Sequence, residues 1–80
     1  MIDLDGPTPL YRQIADVVRA RIADGTYPPG RRVPSATALA DEFGVSRRTA
    51  VDALRLLREA GDVIGVRGRG TFVPKPPQGD

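Results

Sequence analysis

Residues 39–57 read LADEFGVSRRTAVDALRLL, and the four at the break, Phe43-Gly44-Val45-Ser46, constrain the fold most. Glycine is the residue that ends a helix at least cost, and serine is among the best at starting one. Only Val45 lies between them. Two helices must therefore meet across one tight turn, with Val45 plugging into the core between them. The first opens at Ser35, a good N-cap, and carries Leu39, Ala40 and Phe43 on one face. The second is capped by Ser46, runs to Ala60 and stops at Gly61. Such a pair is a helix–turn–helix.

The flanking segments complete the pattern. Residues 1–8 read as an arm, since Gly-Pro-Thr-Pro breaks any early helix. A first helix is expected from Pro9, with Thr8 as its N-cap and proline in the first helical position. Leu10, Ile14, Val17, Val18 and Ile22 recur at helical spacing, and Gly25 supplies a stop. Pro28-Pro29-Gly30 forces a turn, and Arg31-Arg32-Val33 reads as a short extended piece before Pro34. After Gly61, the apolar runs Asp62–Val66 and Thr71–Val73 flank an Arg-Gly-Arg-Gly stretch, the pattern of a β-hairpin. Residues 74–80 are proline-rich and polar, a tail or linker. The expected fold is mainly α with a small β-hairpin: a winged helix–turn–helix of three helices plus a wing, spanning residues 9–73.

Composition narrows the function by exclusion. Eighty residues make one small domain. With neither cysteine nor histidine there is no disulfide and none of the usual zinc sets, so no metal or cofactor is expected. A serine nucleophile would lack its usual base, Ser35 and Ser46 are explained as caps, and Asp41-Glu42 are adjacent and point apart, so no enzyme is expected. No apolar run approaches membrane-spanning length, and the acidic start lacks the order of a signal peptide, which together favour a cytoplasmic chain. The net charge of +2 is unevenly placed: residues 31–80 hold nine Lys/Arg against six Asp/Glu.

The third helix divides by face. Ala50, Ala53, Leu54 and Leu57 fall on the side that buries, while Arg47, Arg48, Val51, Arg55 and Arg58 gather opposite. A solvated helix face usually mixes signs, and this one is nearly all positive. Its first turn joins the hydroxyls of Ser46 and Thr49 to Arg47, Arg48 and free backbone amides. Recognition helices contact bases mainly with their first residues, and free amides suit phosphates. Arg47 suits either a guanine edge or a phosphate. Val51 reads either as a scattered surface valine or as a contact to a thymine methyl.

These blocks together resemble the DNA-binding domain of the GntR family of bacterial transcription regulators. TPLYRQIADVVRARIADGTYPPGRRVPS is similar to the family's first helix, Tyr-x-Pro-Gly turn and Pro-Ser start. LADEFGVSRRTAVDAL resembles its helix–turn–helix, and RGRGTFV its wing. The PLYRQI opening is closer to the HutC and YtrA branches than to the FadR branch. The resemblance implies a homodimer, at least on DNA, that binds a short palindromic operator in double-stranded DNA, usually as a repressor. It puts the recognition helix 46–60 in the major groove and the wing 66–71 at the minor groove or backbone. Matching positions are Ser35, Ser46, Arg47, Thr49, Gly70 and Thr71. Where the family often has Glu-Arg after Pro-Ser, this chain has Ala36-Thr37, and where it often has arginine, this chain has Val51. An altered operator, weaker binding, or compensation by Arg48, Arg55, Arg67 and Arg69 is expected.

The expected DNA-binding set is thus Ser35, Thr37, Ser46, Arg47, Arg48, Thr49, Val51, Arg67, Gly68, Arg69, Gly70 and Thr71. At the wing tip Arg69 is expected to grip DNA, since it lies between two glycines. Family members carry a C-terminal effector domain, whereas only a polar tail follows here. The chain is expected to have no effector site of its own, as an excised domain or a minimal regulator. The alternative is a winged-helix protein-interaction module with reduced DNA binding, docking through an apolar patch around Val51.

Overall fold

The computed structural model describes residues 8–75. The expected arm and tail lie almost wholly outside that span, which includes only Thr8, Pro74 and Lys75 of them. Helix α1 runs Leu10–Ala23, α2 Ala36–Phe43 and α3 Arg47–Glu59. Strands β1 (Ile64–Val66) and β2 (Gly70–Phe72) pair antiparallel, with Ile64 opposite Phe72 and Val66 opposite Gly70. Helices α1 and α2 each pack on α3, and the hairpin is the wing. This is the expected winged helix–turn–helix.

The core forms where the three helical stripes converge. Ile14, Val18, Leu39 and Leu57 are fully buried, with Val33, Val63 and Val73 sealing the wing end. Val45 packs against this cluster from the turn, as expected. Ser46 caps α3 by accepting the Thr49 amide at 3.1 Å, and Ser35 caps α2 by accepting that of Ala38 at 3.1 Å. Gly44, between the two helices, adopts φ 66°.

The start of α1 differs from expectation. Pro9 is the cap residue rather than the first helical one, with ψ 147°, and Thr8 provides no side-chain cap. The Pro9 carbonyl accepts the amides of Arg12 and Gln13, both at 3.1 Å, and the Thr8 carbonyl accepts the Gln13 side-chain amide at 2.8 Å. The Thr8 hydroxyl thus plays no part in this start: the Pro9 carbonyl takes the first helical hydrogen bonds, and Gln13 bonds back to the preceding backbone.

The extended piece at 31–33 becomes a third strand in miniature. Arg32 bridges Phe72, Val33 N–H donates to the Thr71 carbonyl at 2.9 Å, and Val73 N–H donates to that of Arg31 at 2.8 Å. The Pro28–Arg31 turn feeds it. Pro29 fixes its second position and Gly30, at φ 81°, takes the left-handed third.

A polar brace joins the end of α1 to α2. The Arg21 guanidinium donates to Tyr27 Oη at 2.8 Å and to Glu42 Oε2 at 2.6 Å, and stacks over Phe43 with 5.6 Å to the ring centroid. That hydrogen bond with Arg21 holds the Glu42 carboxyl below its ordinary value. A depressed carboxylate pKa contributes stability above the unfolded-state pKa, and the contribution is lost as pH falls through the lower folded value. The pair is partly exposed, so its contribution is small, under about 1 kcal/mol. Glu42→Gln is expected to be less stable than the wild type at neutral pH. Urea unfolding across pH should see the gap close in acid; a gap that persists there would assign Glu42 a packing role instead.

Candidate nucleic-acid interface

The first turn of α3 is electrostatically awkward. It contains no acidic residue but two arginines, Arg47 and Arg48, at the positive end of the helix dipole. Each such cation costs roughly 0.3–1 kcal/mol when unrelieved. Arg48 is relieved, since its Nε lies 3.4 Å from Asp52 Oδ1. The same carboxylate holds Arg55 Nη2 at 3.1 Å. Arg47 is exposed and has no acidic partner among the described residues. A charge set against the local dipole and left unpaired is relieved by an anion from outside.

The single basic face expected for α3 is in fact two edges. Arg48 and Arg55 turn toward α1 and share a cleft with Tyr11, Asp52 and Glu59, where their charges are balanced. On the other edge, Val51 and Arg58 face the wing and the start of α2 across a second cleft. Three arginines line it, Arg32, Arg58 and Arg69, together with the hydroxyl residues Ser35 and Thr71, and no carboxylate. Two of the arginines expected to compensate for the family's missing ones, Arg48 and Arg55, thus share one carboxylate, which offsets one of their two charges.

Part of the expected site converges here. Ser35, Val51, Arg69, Gly70 and Thr71 line the charged cleft, and Ser46, Arg47 and Thr49 form the adjoining end of α3. The Ser46 hydroxyl also donates to Thr49 Oγ1 at 2.9 Å, which fixes that turn. Thr37 is exposed on the first turn of α2, outside the cleft. At the wing tip Arg69 N–H donates to the Val66 carbonyl at 2.9 Å, with Gly68 at φ 78° in the turn. Arg69 lines the cleft, and Arg67 is not among its lining residues. Val51 is half-buried on the cleft floor rather than turned from the core, because Leu54 and Ala36 flank it. The apolar patch needed for a protein-docking surface around Val51 is therefore recessed.

Two cleft residues lay outside the expected set. Arg58 follows Arg47 by about three helical turns, so the helical period alone put it on the same side. Arg32 reaches the wing only through its bridge to Phe72, over whose ring its guanidinium stacks at 5.7 Å. That long-range pairing has no local signal.

Residues 10–73 match the family model of bacterial regulatory proteins, gntR family. The chain belongs to the GntR family. This GntR domain is similar to the mannosyl-D-glycerate transport/metabolism system repressor MngR of Escherichia coli (strain K12). The two are 50% identical over 68 residues, 85% of this chain and 28% of that protein. It is also similar to the histidine utilization repressor of Pseudomonas putida, 42% identical over 72 residues, 90% of this chain and 29% of that protein. That likeness agrees with the HutC-like opening. Among solved structures, AraR(DBD) in complex with operator ORX1 superimposes with TM-score 0.81 at 32% identity, covering 91% of this chain and 94% of that one. The GntR chain spans under a third of the length of these two curated relatives. The family is one of regulators rather than enzymes. Among the described residues of the GntR domain, no helix is long and apolar enough to cross a membrane.

Proposed function

We propose that this chain is the sequence-specific DNA-binding part of a transcription repressor, acting in the cytoplasm. It binds a short palindromic operator as a dimer, with α3 in the major groove and the wing at the neighbouring minor groove or backbone. Residues 9–73 form the binding domain, residues 1–8 an arm and residues 74–80 a polar tail or linker. The observation that carries this reading is the unrelieved charge of Arg47 at the head of α3, beside a cleft with three arginines and no carboxylate. The likeness to a family domain bound to its operator supports it, and the names of the repressors above support the direction of regulation. Arg47 and Val51 supply base contacts, while Ser35, Thr37, Ser46, Arg48, Thr49 and the wing residues Arg67 to Thr71 supply backbone contacts.

Selection from a random duplex pool tests this directly. The expected product is a palindrome with half-sites about one helical turn apart or less. Val51→Ala should change the preference at one thymine position and leave the others. Binding to the selected duplex should weaken steeply with salt, by about 0.9 in logarithmic slope per neutralised phosphate. Enrichment of no sequence, together with a flat salt dependence, would refute the proposal.

A further inference from the structure

We propose that the cleft between α3 and the wing seats one backbone phosphate of the bound DNA strand, and that Arg58 is the residue that holds it. This rests on the DNA-binding reading above and adds a contact that the family's motif positions do not supply. A helix in the major groove and a wing tip at the adjacent minor groove straddle one strand, because the sugar–phosphate backbone is the ridge between the two grooves. The phosphates of that strand face the space between helix and wing. Here that space is a cleft of about 320 Å³. A water molecule's share of the liquid is about 30 Å³, so a phosphate group enters with room to spare.

The chemistry of the cleft fits a phosphodiester. Arg58 has no acidic partner among the described residues. Its side chain lies along the wing at Gly65: a Cβ there would meet Arg58 Cδ at 3.6 Å and Nη1 at 3.7 Å. The exposed guanidinium therefore lies beside the wing strand β1, at the edge of the cleft. The Ser35 oxygen already accepts the Ala38 amide, which leaves its hydroxyl proton to donate. Across the cleft the Thr71 hydroxyl is a second donor. Ala36, Val51 and Leu54 form an apolar floor. Charge-assisted hydrogen bonds are roughly twice as strong as neutral ones, so the arginine and hydroxyl donors of this cleft suit an anion. Arg55 makes the natural control, because its guanidinium lies outside this cleft and already pairs with Asp52 at 3.1 Å.

The test compares salt titrations of the 80-residue chain on its selected duplex for the wild type, Arg58→Gln, Arg58→Lys and Arg55→Gln. Arg58→Gln should make the logarithmic salt slope shallower by about 0.9, and weaken all related operators alike. Arg58→Lys should keep the wild-type slope, and Arg55→Gln should leave it unchanged. Thermal melts of the free chains should coincide, which separates lost contact from lost fold. NMR supplies a second arm: the Arg58 Nε–Hε signal should shift with the duplex and stay in place with inorganic phosphate at equal ionic strength. Equal shifts in both would assign the cleft to a free anion and overturn the backbone seat. An unchanged slope in Arg58→Gln, while the wild type binds DNA, overturns the seat alone. Failure of the wild type to bind any duplex overturns the DNA-binding reading and the seat with it.

Discussion

Leu57→Ala is expected to lower the melting temperature by more than about 10 °C and to abolish DNA binding at physiological temperature. Leu57 is fully buried on the inner face of α3, the helix on which both α1 and α2 pack. Truncating a buried leucine removes both its transfer energy and the packing of the cavity it leaves, about 2–5 kcal/mol. A domain of 80 residues has a total stability of about 4–12 kcal/mol. One substitution thus removes a large fraction of it, and without cysteine no disulfide stands in reserve. Differential scanning calorimetry reads the shift. A drop of only a degree or two would mean that the core closes around the smaller side chain.

Arg47→Ala has the opposite signature. It is expected to weaken binding to the selected operator by at least tenfold, and to erase about 1–3 kcal/mol of discrimination at one base pair if the guanidinium forks onto a guanine. The free domain should become slightly more stable, by about 0.3–1 kcal/mol, because a cation leaves the positive end of the α3 dipole. Stability that rises while binding falls separates a contact residue from a structural one. Paired urea titrations and operator titrations measure both quantities. Lost binding accompanied by lost stability would instead make Arg47 part of the scaffold.

The helices were legible because their signals are local. Ser35 and Ser46 cap where a serine should, and Leu39, Leu54 and Leu57 fall inside at helical spacing. The wing was legible for the same reason, as two apolar runs around glycines. What the chain did not announce depends on partners far away in sequence. Nothing near Thr8 reveals that Pro9 becomes the cap residue and that Gln13 bonds the Thr8 carbonyl while the Thr8 hydroxyl caps nothing. The division of the α3 arginines needs Asp52 to choose between neighbours, and a helical wheel put Arg48 and Arg55 on one arc with Arg47 and Arg58. The recessed position of Val51 requires Ala36 beside it, which only the packing of α2 on α3 supplies.

The small third strand has a mechanical consequence. Val73 is stitched to the Gly30–Arg31 segment on both sides: Gly30 N–H donates to its carbonyl at 2.8 Å, and its own N–H donates to the Arg31 carbonyl at 2.8 Å. Lys75 lies across Gly30, where its Cε would stand 2.7 Å from an added Cβ. The same segment continues through Val33 directly into Ser35, the cap of α2. Tension applied at Lys75 is therefore shared at once between β2 and the segment that leads into α2.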